Sequence, residues 1–365
     1  MELSDVEGLL LQNKIKQFTY RFKSICMKTT HVIVLAIVAF AGCTKKESNP
    51  VISEGVNNNI SLGVDTVKGP LTDLGPGTYM GFTGGLYPGG TNYPTLQYKK
   101  DLKNFASSIR PLNGNGAIDS AAGKIVFISL GGSTSGHMMR VLKEKTIYDT
   151  TTNPFLKLLN CSDGYGVASF QSIANPADSY WDHVFNVIVS SHMFPAQVQV
   201  IYIETEDSSQ VVSFPDRPNL VKDDIEAAMR TCKSKFPNLK LVYFLGRTTT
   251  FPDSTNQLTQ VTNIEPCPYY NGWAIKFAIE DQINGVTGTQ YKGAGTVAPL
   301  MTWGWYEWAN GTDVPRQDGF VWQESDTKDG LHATTAGEDT LSNRFKNFLL
   351  TDKFASIWYK KKTGK

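Results

Sequence analysis

The sequence is poor in the residues that build disulfide frameworks and metal centres. Its 365 residues include only five cysteines and five histidines, and no CxxC pair is present. Beyond Cys43 only Cys161, Cys232 and Cys267 remain, so at least one thiol of an exported chain would be unpaired. We expect all three to be small buried hydrophobes, and the sequence predicts neither a metal site nor a cofactor.

An excess of charge of one sign is also lacking. Lysine and arginine total 35 against 34 aspartate and glutamate, which gives a formal net charge of +1. No basic field would attract nucleic acid. The phosphate-binding patterns GxxxxGK[ST] and GxGxxG are absent, which disfavours nucleotide binding. The composition, 41% hydrophobic with 32 glycines and 17 prolines, is that of a globular protein with ordered loops.

From Met27 the sequence has the layout of an export signal. Lys28 precedes an apolar run over residues 32–40, and small residues then lead to Cys43. The run is too short for a bilayer core of ~30 Å. It resembles a bacterial lipoprotein signal, in which the cysteine is lipidated and becomes the first residue; a plain secretory signal or short anchor is the alternative. The resemblance implies a cell-envelope protein, periplasmic or surface-facing, held to the membrane through Cys43.

The chain divides into three parts on composition. Residues 1–42 are predicted to be an upstream extension followed by the signal peptide, and residues 43–68 a polar, flexible tether. Residues 69–360 are predicted to form one domain. Its first part, 69–122, is rich in Gly, Pro and Tyr and is expected to be a looped cap without regular elements.

Apolar runs that end in glycine or polar residues predict buried strands, and helical patterns lie between them. The strands are expected at 123–132, 155–162, 197–204, 239–246 and 298–304. The helices are expected at 179–193, 219–238, 269–285 and 335–350. This alternation predicts a three-layer α/β/α sandwich with a mainly parallel sheet of about five strands, in which ligands bind at the carboxyl ends of the strands.

The stretch DGLHATTAG, residues 329–337, places an aspartate three residues before a histidine. Asp329 could hold one ring nitrogen of His332, so that the other faces a nucleophile. Thr335 and Glu338 match a capping box, which predicts that a helix begins just after His332. The alternative is an ordinary turn with a surface histidine.

A serine follows the first predicted strand directly. In FISLGGSTSGHM, Ser133 comes after Gly131 and Gly132 and before a helical pattern. A serine on such a turn is exposed at the carboxyl edge of the sheet, and its backbone N–H can help to bind an oxyanion. The alternatives are a glycine-rich phosphate loop and a simple tight turn. His137, four residues later, is a second candidate base, but we expect it to point away.

The serine turn and the Asp-x-x-His block together resemble the SGNH (GDSL-like) hydrolase superfamily over residues 124–358. This sequence has GGS where the family has Gly-Asp-Ser, and DGLH as its Asp-x-x-His block. It looks closest to a branch of exported bacterial proteins with SGNH-like features. The phrases that carry this likeness are GGLYPGGTNYP, PAQVQVIYIE, KFPNLKLVYFLGR, EPCPYYNGWAIKFAIEDQI and WGWYEWANGTDVPRQDGFVW.

The resemblance implies roles for individual residues. Ser133 becomes the nucleophile, His332 the base and Asp329 the residue that orients it. The oxyanion would be bound by the N–H groups of Ser133 and Gly164, with Gly166 as the next choice. The family also supplies an asparagine after its third strand, but IYIETEDSS has none there. Asn160 or Arg247 is the candidate replacement.

The aromatic loop TWGWYEWANG, residues 302–311, allows two interpretations. It is either core beneath a loop or a wall on which sugar rings stack. The second interpretation assigns substrate binding to Tyr87, Arg247, Trp303, Trp305 and Tyr306.

Two functions follow from these features. The first is a lipid-anchored serine esterase, for which the resemblance implies acyl groups on carbohydrate, such as acetyl esters, as the substrate class. The second is a carbohydrate-binding surface lipoprotein on the same scaffold with weak or no catalysis, favoured by the missing asparagine.

Overall fold

The computed structural model describes residues 68–166, 168–252, 261–311 and 315–362, and its centre is a five-stranded parallel sheet. All five predicted strands are confirmed, each somewhat shorter than its apolar run. They are β3 (Ile125–Gly131), β4 (Leu156–Asn160), β5 (Val198–Glu204), β6 (Leu241–Phe244) and β7 (Leu300–Trp303). A short antiparallel pair, β1 (Thr78–Tyr79) and β2 (Phe82–Thr83), precedes them.

The strand order is β4-β3-β5-β6-β7, which is that of a flavodoxin-like fold. After β3 the chain crosses to β4 on one side, and β5 then returns to the other side of β3. The direction of winding therefore reverses between β3 and β5. A crevice opens at the carboxyl ends of two strands on either side of such a reversal, and there the fold favours ligand binding.

Helices cover both faces of the sheet, which confirms the predicted three-layer α/β/α architecture. The helices in chain order are α1 (Leu71–Leu74), α2 (Leu96–Ser108), α3 (Ser133–Ile147), α4 (Phe170–Ala174), α5 (Tyr180–Ser190), α6 (Asp216–Lys235), α7 (Cys267–Asn284), α8 (Thr335–Thr351) and α9 (Ala355–Tyr359). On one face α3 packs on α8, and α8 and α2 both contact α9. On the other face α6 packs on α4 and α7, and α4 contacts α5.

The prediction that residues 69–122 lack regular elements is wrong for α2. This helix has 13 residues, and the Thr95 side chain caps it by accepting from the Tyr98 N–H. Tyr98, Leu102 and Ala106 are spaced four residues apart and are buried. The glycines that suggested loops lie mainly before this helix, so composition averaged over the whole segment concealed it.

Helix α8 begins at Thr335, as predicted, but the predicted capping box does not form. Thr334 is the cap, and its side chain accepts from the Gly337 N–H at 3.1 Å. Glu338 is not free to cap, because its carboxylate pairs with Arg140 and Lys328 instead. The N-cap is therefore Thr334, one residue earlier than the capping-box pattern suggested.

The strands are apolar without alternation because both of their faces are covered. All seven residues of β3 and all seven of β5 are buried. Rings from α8 and α9 pack edge-on against β3, with Phe345 and Trp358 against Phe127. Full burial of such a side chain contributes about 1.5–3 kcal/mol. The predicted burial of Cys161, Cys232 and Cys267 is also confirmed.

The signal peptide, the tether to residue 67 and Cys43 lie outside the described residues. Within the part of the chain that the structure describes, no helix has both the length and the apolar character needed to cross a bilayer.

Candidate active site

Ser133 lies at the point where β3 ends and α3 begins. A Cβ atom on Gly131 would lie 2.2 Å from the Glu204 carbonyl oxygen, so only glycine allows the ends of β3 and β5 to approach this closely. Gly132 precedes the helix, and Ser133 is its first residue. The turn therefore presents Ser133 in the crevice at the reversal of the sheet.

The structure brings Ser133, His332 and Asp329 into one hydrogen-bonded chain. Ser133 Oγ lies 2.7 Å from His332 Nε2, although 199 positions separate the two residues. His332 Nδ1 lies 2.7 Å from Asp329 Oδ2. A nucleophile, a base and a residue that orients the base require these contacts.

Asp329 is held by the turn that carries His332. Its Oδ1 accepts from the N–H groups of Leu331 at 3.1 Å and His332 at 2.7 Å. Gly330 supports the bend with a φ of 76°. Burial raises the pKa of Asp329, but the hydrogen bonds from His332 and Leu331 outweigh burial, so that the pKa lies below its usual value. The carboxylate is thus ionised near neutral pH and accepts a hydrogen bond from His332 Nδ1–H.

A cavity of about 110 Å³ opens beside Ser133 and His332. Residues from the ends of β3 and β5 line it. The loops that follow β4 and β6 and the loops that precede α7 and α8 also contribute lining residues. The lining residues are Gly132, Ser133, Thr134, Gly166, Thr205, Glu206, Arg247, Asn263, Leu331 and His332.

Of the two glycines proposed for the oxyanion hole, Gly166 rather than Gly164 lines this cavity. A side chain at Gly164 would be directed at the ring of His183 on α5. Asn160 is not available either, because its amide donates to the Gly136 carbonyl at 2.9 Å and to Asp163 Oδ2 at 2.6 Å. The proposed role of Asn160 as an oxyanion donor is therefore wrong. Gly166 replaces Gly164 as the candidate glycine of the oxyanion hole.

Arg247 lines the cavity, as its predicted role requires. Its Nε lies 3.2 Å from Glu204 Oε1, and its Nη2 donates to Asn263 Oδ1 at 3.3 Å. The other oxygen of Glu204 accepts from the Thr134 hydroxyl. Burial raises the pKa of Glu204, although Arg247 and Thr134 oppose that shift. The carboxylate at the end of β5 is thus neutralised by an arginine, and does not face the cavity as an unpaired charge.

A second buried glutamate lies beneath the site. Glu307 is 1% exposed, and its Oε1 has no hydrogen-bond partner in the described part of the chain. Burial raises the pKa of Glu307 well above its usual value, and the charge of Glu204 raises it further. Burial therefore favours the protonated, uncharged form of Glu307.

His137 does not point away from the site, contrary to expectation. It is one helical turn from Ser133, so both lie on one face of α3, and its ring centre lies 5.8 Å from that of His332. Its Nδ1 is 3.3 Å from Glu338 Oε1. Burial lowers the pKa of His137, and Glu338 opposes this. His332, not His137, is hydrogen-bonded to Ser133.

Of the four aromatic residues proposed for substrate binding, three are buried and Trp305 is half-buried, and none lines the Ser133 cavity. Trp303 and Tyr306 are 3% and 2% exposed, and their rings meet edge-to-face. Tyr87 is buried and shares a hydrogen bond of 2.9 Å with Thr302. Trp305 packs against Phe320. The interpretation as core is therefore confirmed for Trp303 and Tyr306, and Tyr87 is buried as well. Trp305 is half-buried, and none of the four forms a sugar-stacking wall in the Ser133 cavity.

Sequence reasoning missed Asn263 and misjudged Glu206. Asn263 comes from the loop before α7 and follows no predicted strand, so no local signal marked it. Glu206 lies in IYIETEDSS, the stretch that lacks the family's asparagine, and that pattern alone does not mark it as a cavity residue. Its contribution to the cavity depends on how the loop after β5 folds.

No group of three or more His, Cys, Asp or Glu side chains in the described ranges could hold a metal ion. Comparison with models of known protein families finds no match, and a search of curated proteins finds none either.

Proposed function

We propose that this protein is a serine hydrolase of the SGNH type that cleaves carboxylic esters. The observation that carries the proposal is the hydrogen-bonded chain Ser133–His332–Asp329 at the carboxyl edge of a parallel sheet. The likeness to SGNH hydrolases in GGS and DGLH supports the same assignment.

In the first half of the reaction, Ser133 Oγ attacks the ester carbonyl carbon as His332 Nε2 takes its proton. Asp329 stabilises the resulting imidazolium through the Nδ1–H bond. The tetrahedral intermediate collapses, the alcohol leaves with the proton from His332, and an acyl-serine remains. Water, activated by the same histidine, then releases the carboxylic acid and restores Ser133.

The oxyanion would be bound by the backbone N–H groups of Ser133 and Gly166. Ser133 is the first residue of α3, where N–H groups have no partner within the helix and the helix dipole favours negative charge. Arg247 supplies positive charge to the same cavity. These groups replace the asparagine that SGNH hydrolases carry after their third strand.

The cavity favours a short acyl group. Its volume of about 110 Å³ is well below the roughly 300–1,000 Å³ typical of sites for larger ligands. Acetyl esters fit this size, and esters on carbohydrate remain the substrate class that the family resemblance suggests.

A binding-only function is less well supported. Such a function needs rings on which sugars can stack, but three of the four proposed rings are buried in the core, and Trp305 packs against Phe320 outside the Ser133 cavity. It also relied on a disabled oxyanion site, yet the Glu204 carboxylate is paired with Arg247 at 3.2 Å.

The test is hydrolysis of nitrophenyl acetate by the purified protein and by Ser133→Ala. We expect the variant to lose at least about 10³-fold in kcat, because the nucleophile is removed. His332→Ala should lose a similar factor, and the double variant should be no worse than either single one. Ser190→Ala, on the exposed surface of α5, is the matched control and should keep full activity. Equal rates for the wild type and Ser133→Ala would overturn the proposal.

We also propose export and lipid attachment at Cys43, on the sequence pattern alone. Mass spectrometry of the mature protein should find Cys43 as the first residue, carrying a diacylglyceryl group. Cys43→Ser should move the protein from the membrane fraction to the soluble fraction. An unmodified N-terminus elsewhere in the chain would contradict lipid attachment.

A further inference from the structure

The end of β5 and the loop after it carry three carboxylates, Glu204, Glu206 and Asp207, and only Glu206 among them has no cationic partner in the described structure. Glu204 pairs with Arg247 at 3.2 Å, and Asp207 lies 3.5 Å from Arg217. Glu206 is 6% exposed, and its Oε2 is buried without a hydrogen-bond partner. A buried polar atom without a hydrogen-bond partner is costly, which makes Glu206 unusual among the three carboxylates.

The backbone around Glu206 is fixed by hydrogen bonds. Asn271 donates to the Thr205 carbonyl at 3.0 Å, and the Phe170 N–H donates to the Glu206 carbonyl at 3.1 Å. Arg217 donates to the Asp207 carbonyl at 2.7 Å. Thr205, Glu206 and Asp207 are thus each held through the backbone carbonyl. The loop therefore cannot readily move to expose Glu206 to water.

Glu206 lines the same cavity as Ser133 and His332. An ester bound for attack at Ser133 must therefore come close to this carboxylate. An ionised carboxylate only accepts hydrogen bonds, so the group that complements it must be a donor. A site with an acceptor fixed in this way discriminates strongly against a substrate that leaves it unpaired.

We propose that Glu206 is a specificity residue, and that the alcohol part of the ester carries a hydrogen-bond donor close to the ester oxygen. Both a hydroxyl group and a protonated amine have this chemistry. The inference rests on the proposed esterase function, which it extends from the acyl side of the substrate to the alcohol side.

The experiment compares two pairs of esters of matched shape. Hydroxyethyl acetate and propyl acetate differ in a hydroxyl group, and dimethylaminoethyl acetate and isopentyl acetate differ in a protonated amine. We expect the wild type to prefer at least one donor-bearing ester over its hydrocarbon analogue by about 10- to 100-fold in kcat/KM. Glu206→Met should abolish this preference. Preference for the hydroxyl pair identifies an alcohol donor, and preference for the amine pair identifies a cation.

Glu206→Gln separates charge from hydrogen bonding. Its amide oxygen still accepts, so a preference for hydroxyl should fall only in part, whereas a preference for the ammonium group should be lost. Each preference is a ratio measured on one preparation, so a partly misfolded variant does not distort it. Glu226→Gln is the matched control, because Glu226 is also a buried glutamate with an unpaired oxygen but lies on α6; it should keep the wild-type preference.

The two proposals fail in different ways. If the wild type hydrolyses none of the four esters and nitrophenyl acetate is also stable, the esterase function itself fails. If the esters are hydrolysed but each pair reacts equally fast, or Glu206→Met keeps the preference, the role of Glu206 is refuted and the esterase function stands.

Discussion

At the scale of single residues, Asp329 and His332 were predictable because their interaction is local. The two residues are three positions apart in one turn, so local geometry alone can bring their side chains together. Ser133 was predictable because it follows directly on a strand, and parallel strands end at one edge. Glu206 and Asn263 were not, since their orientation depends on loops fixed by distant partners such as Asn271.

Asp329→Asn should lower kcat by about 10²- to 10⁴-fold. An amide offers one acceptor and also a donor, so it no longer fixes the His332 tautomer in which Nε2 accepts the serine proton. The rate is measured with nitrophenyl acetate at neutral pH. Asp182→Asn, on the exposed side of α5, should leave the rate unchanged. A loss below about threefold for Asp329→Asn would show that Asp329 does not orient the base.

At the scale of elements, apolar runs predicted all five strands because strands covered on both faces need no polar alternation. Helix α2 was not predicted because it has few apolar positions and because the segment that contains it begins with glycines. The cap of α8 was misassigned because Glu338 has stronger partners, in Arg140 and Lys328, than a backbone N–H. Tertiary ion pairs of this kind are invisible in a local pattern.

The contact between the end of β5 and the loop after β6 depends on the pair Glu204–Arg247. Arg247→Met should destabilise the protein by about 3 kcal/mol, because Glu204 stays buried at 3% exposure without its cation. Urea unfolding measures this free energy.

Adding Glu204→Gln to Arg247→Met should recover much of the loss, since the unpaired charge is removed. If the double variant is as unstable as Arg247→Met alone, the cost comes from lost packing of the arginine and not from the charge.

At the scale of the whole molecule, Tyr98 joins three layers of structure. From α2 its hydroxyl reaches Gln282 on α7 and the Met301 carbonyl, at 2.7 Å, on β7. Tyr98→Phe should lower the free energy of unfolding by about 1 kcal/mol in a urea titration. Tyr93→Phe is the control, because Tyr93 is 69% exposed. If the two variants have the same free energy of unfolding, the Tyr98 hydroxyl does not contribute to the stability of the contact between the three layers.

The stability of the molecule should fall as pH rises through the range in which buried glutamates ionise. Burial, followed by the charge of Asp281, raises the pKa of Glu226 from 4.5 to about 7. Between these values the folded state holds a proton that the unfolded state releases, so a rise in pH favours unfolding.

Glu226→Gln should remove this contribution, about 1–2 kcal/mol after allowance for solvent screening. Urea unfolding of both proteins near pH 4.5 and near pH 7 measures this contribution. The wild type and the variant should differ in how their free energy of unfolding changes with pH, and that difference separates the effect of Glu226 from those of Glu204 and Glu307. Identical pH dependence in the wild type and the variant would contradict the shifted pKa.

The start of α8 three residues after His332 links catalysis to the docking of one helix. Phe345 of α8 packs on Phe127 and Tyr202, so the helix that covers the sheet also carries the base into position. Because His332 lies just before α8, an opening of α8 would withdraw His332 from Ser133. We therefore expect amide hydrogen exchange along α8 and loss of the proposed activity to report the same event. An inhibitor that acylates Ser133 and also contacts His332 should therefore slow amide hydrogen exchange along α8 and prolong the lifetime of the closed site.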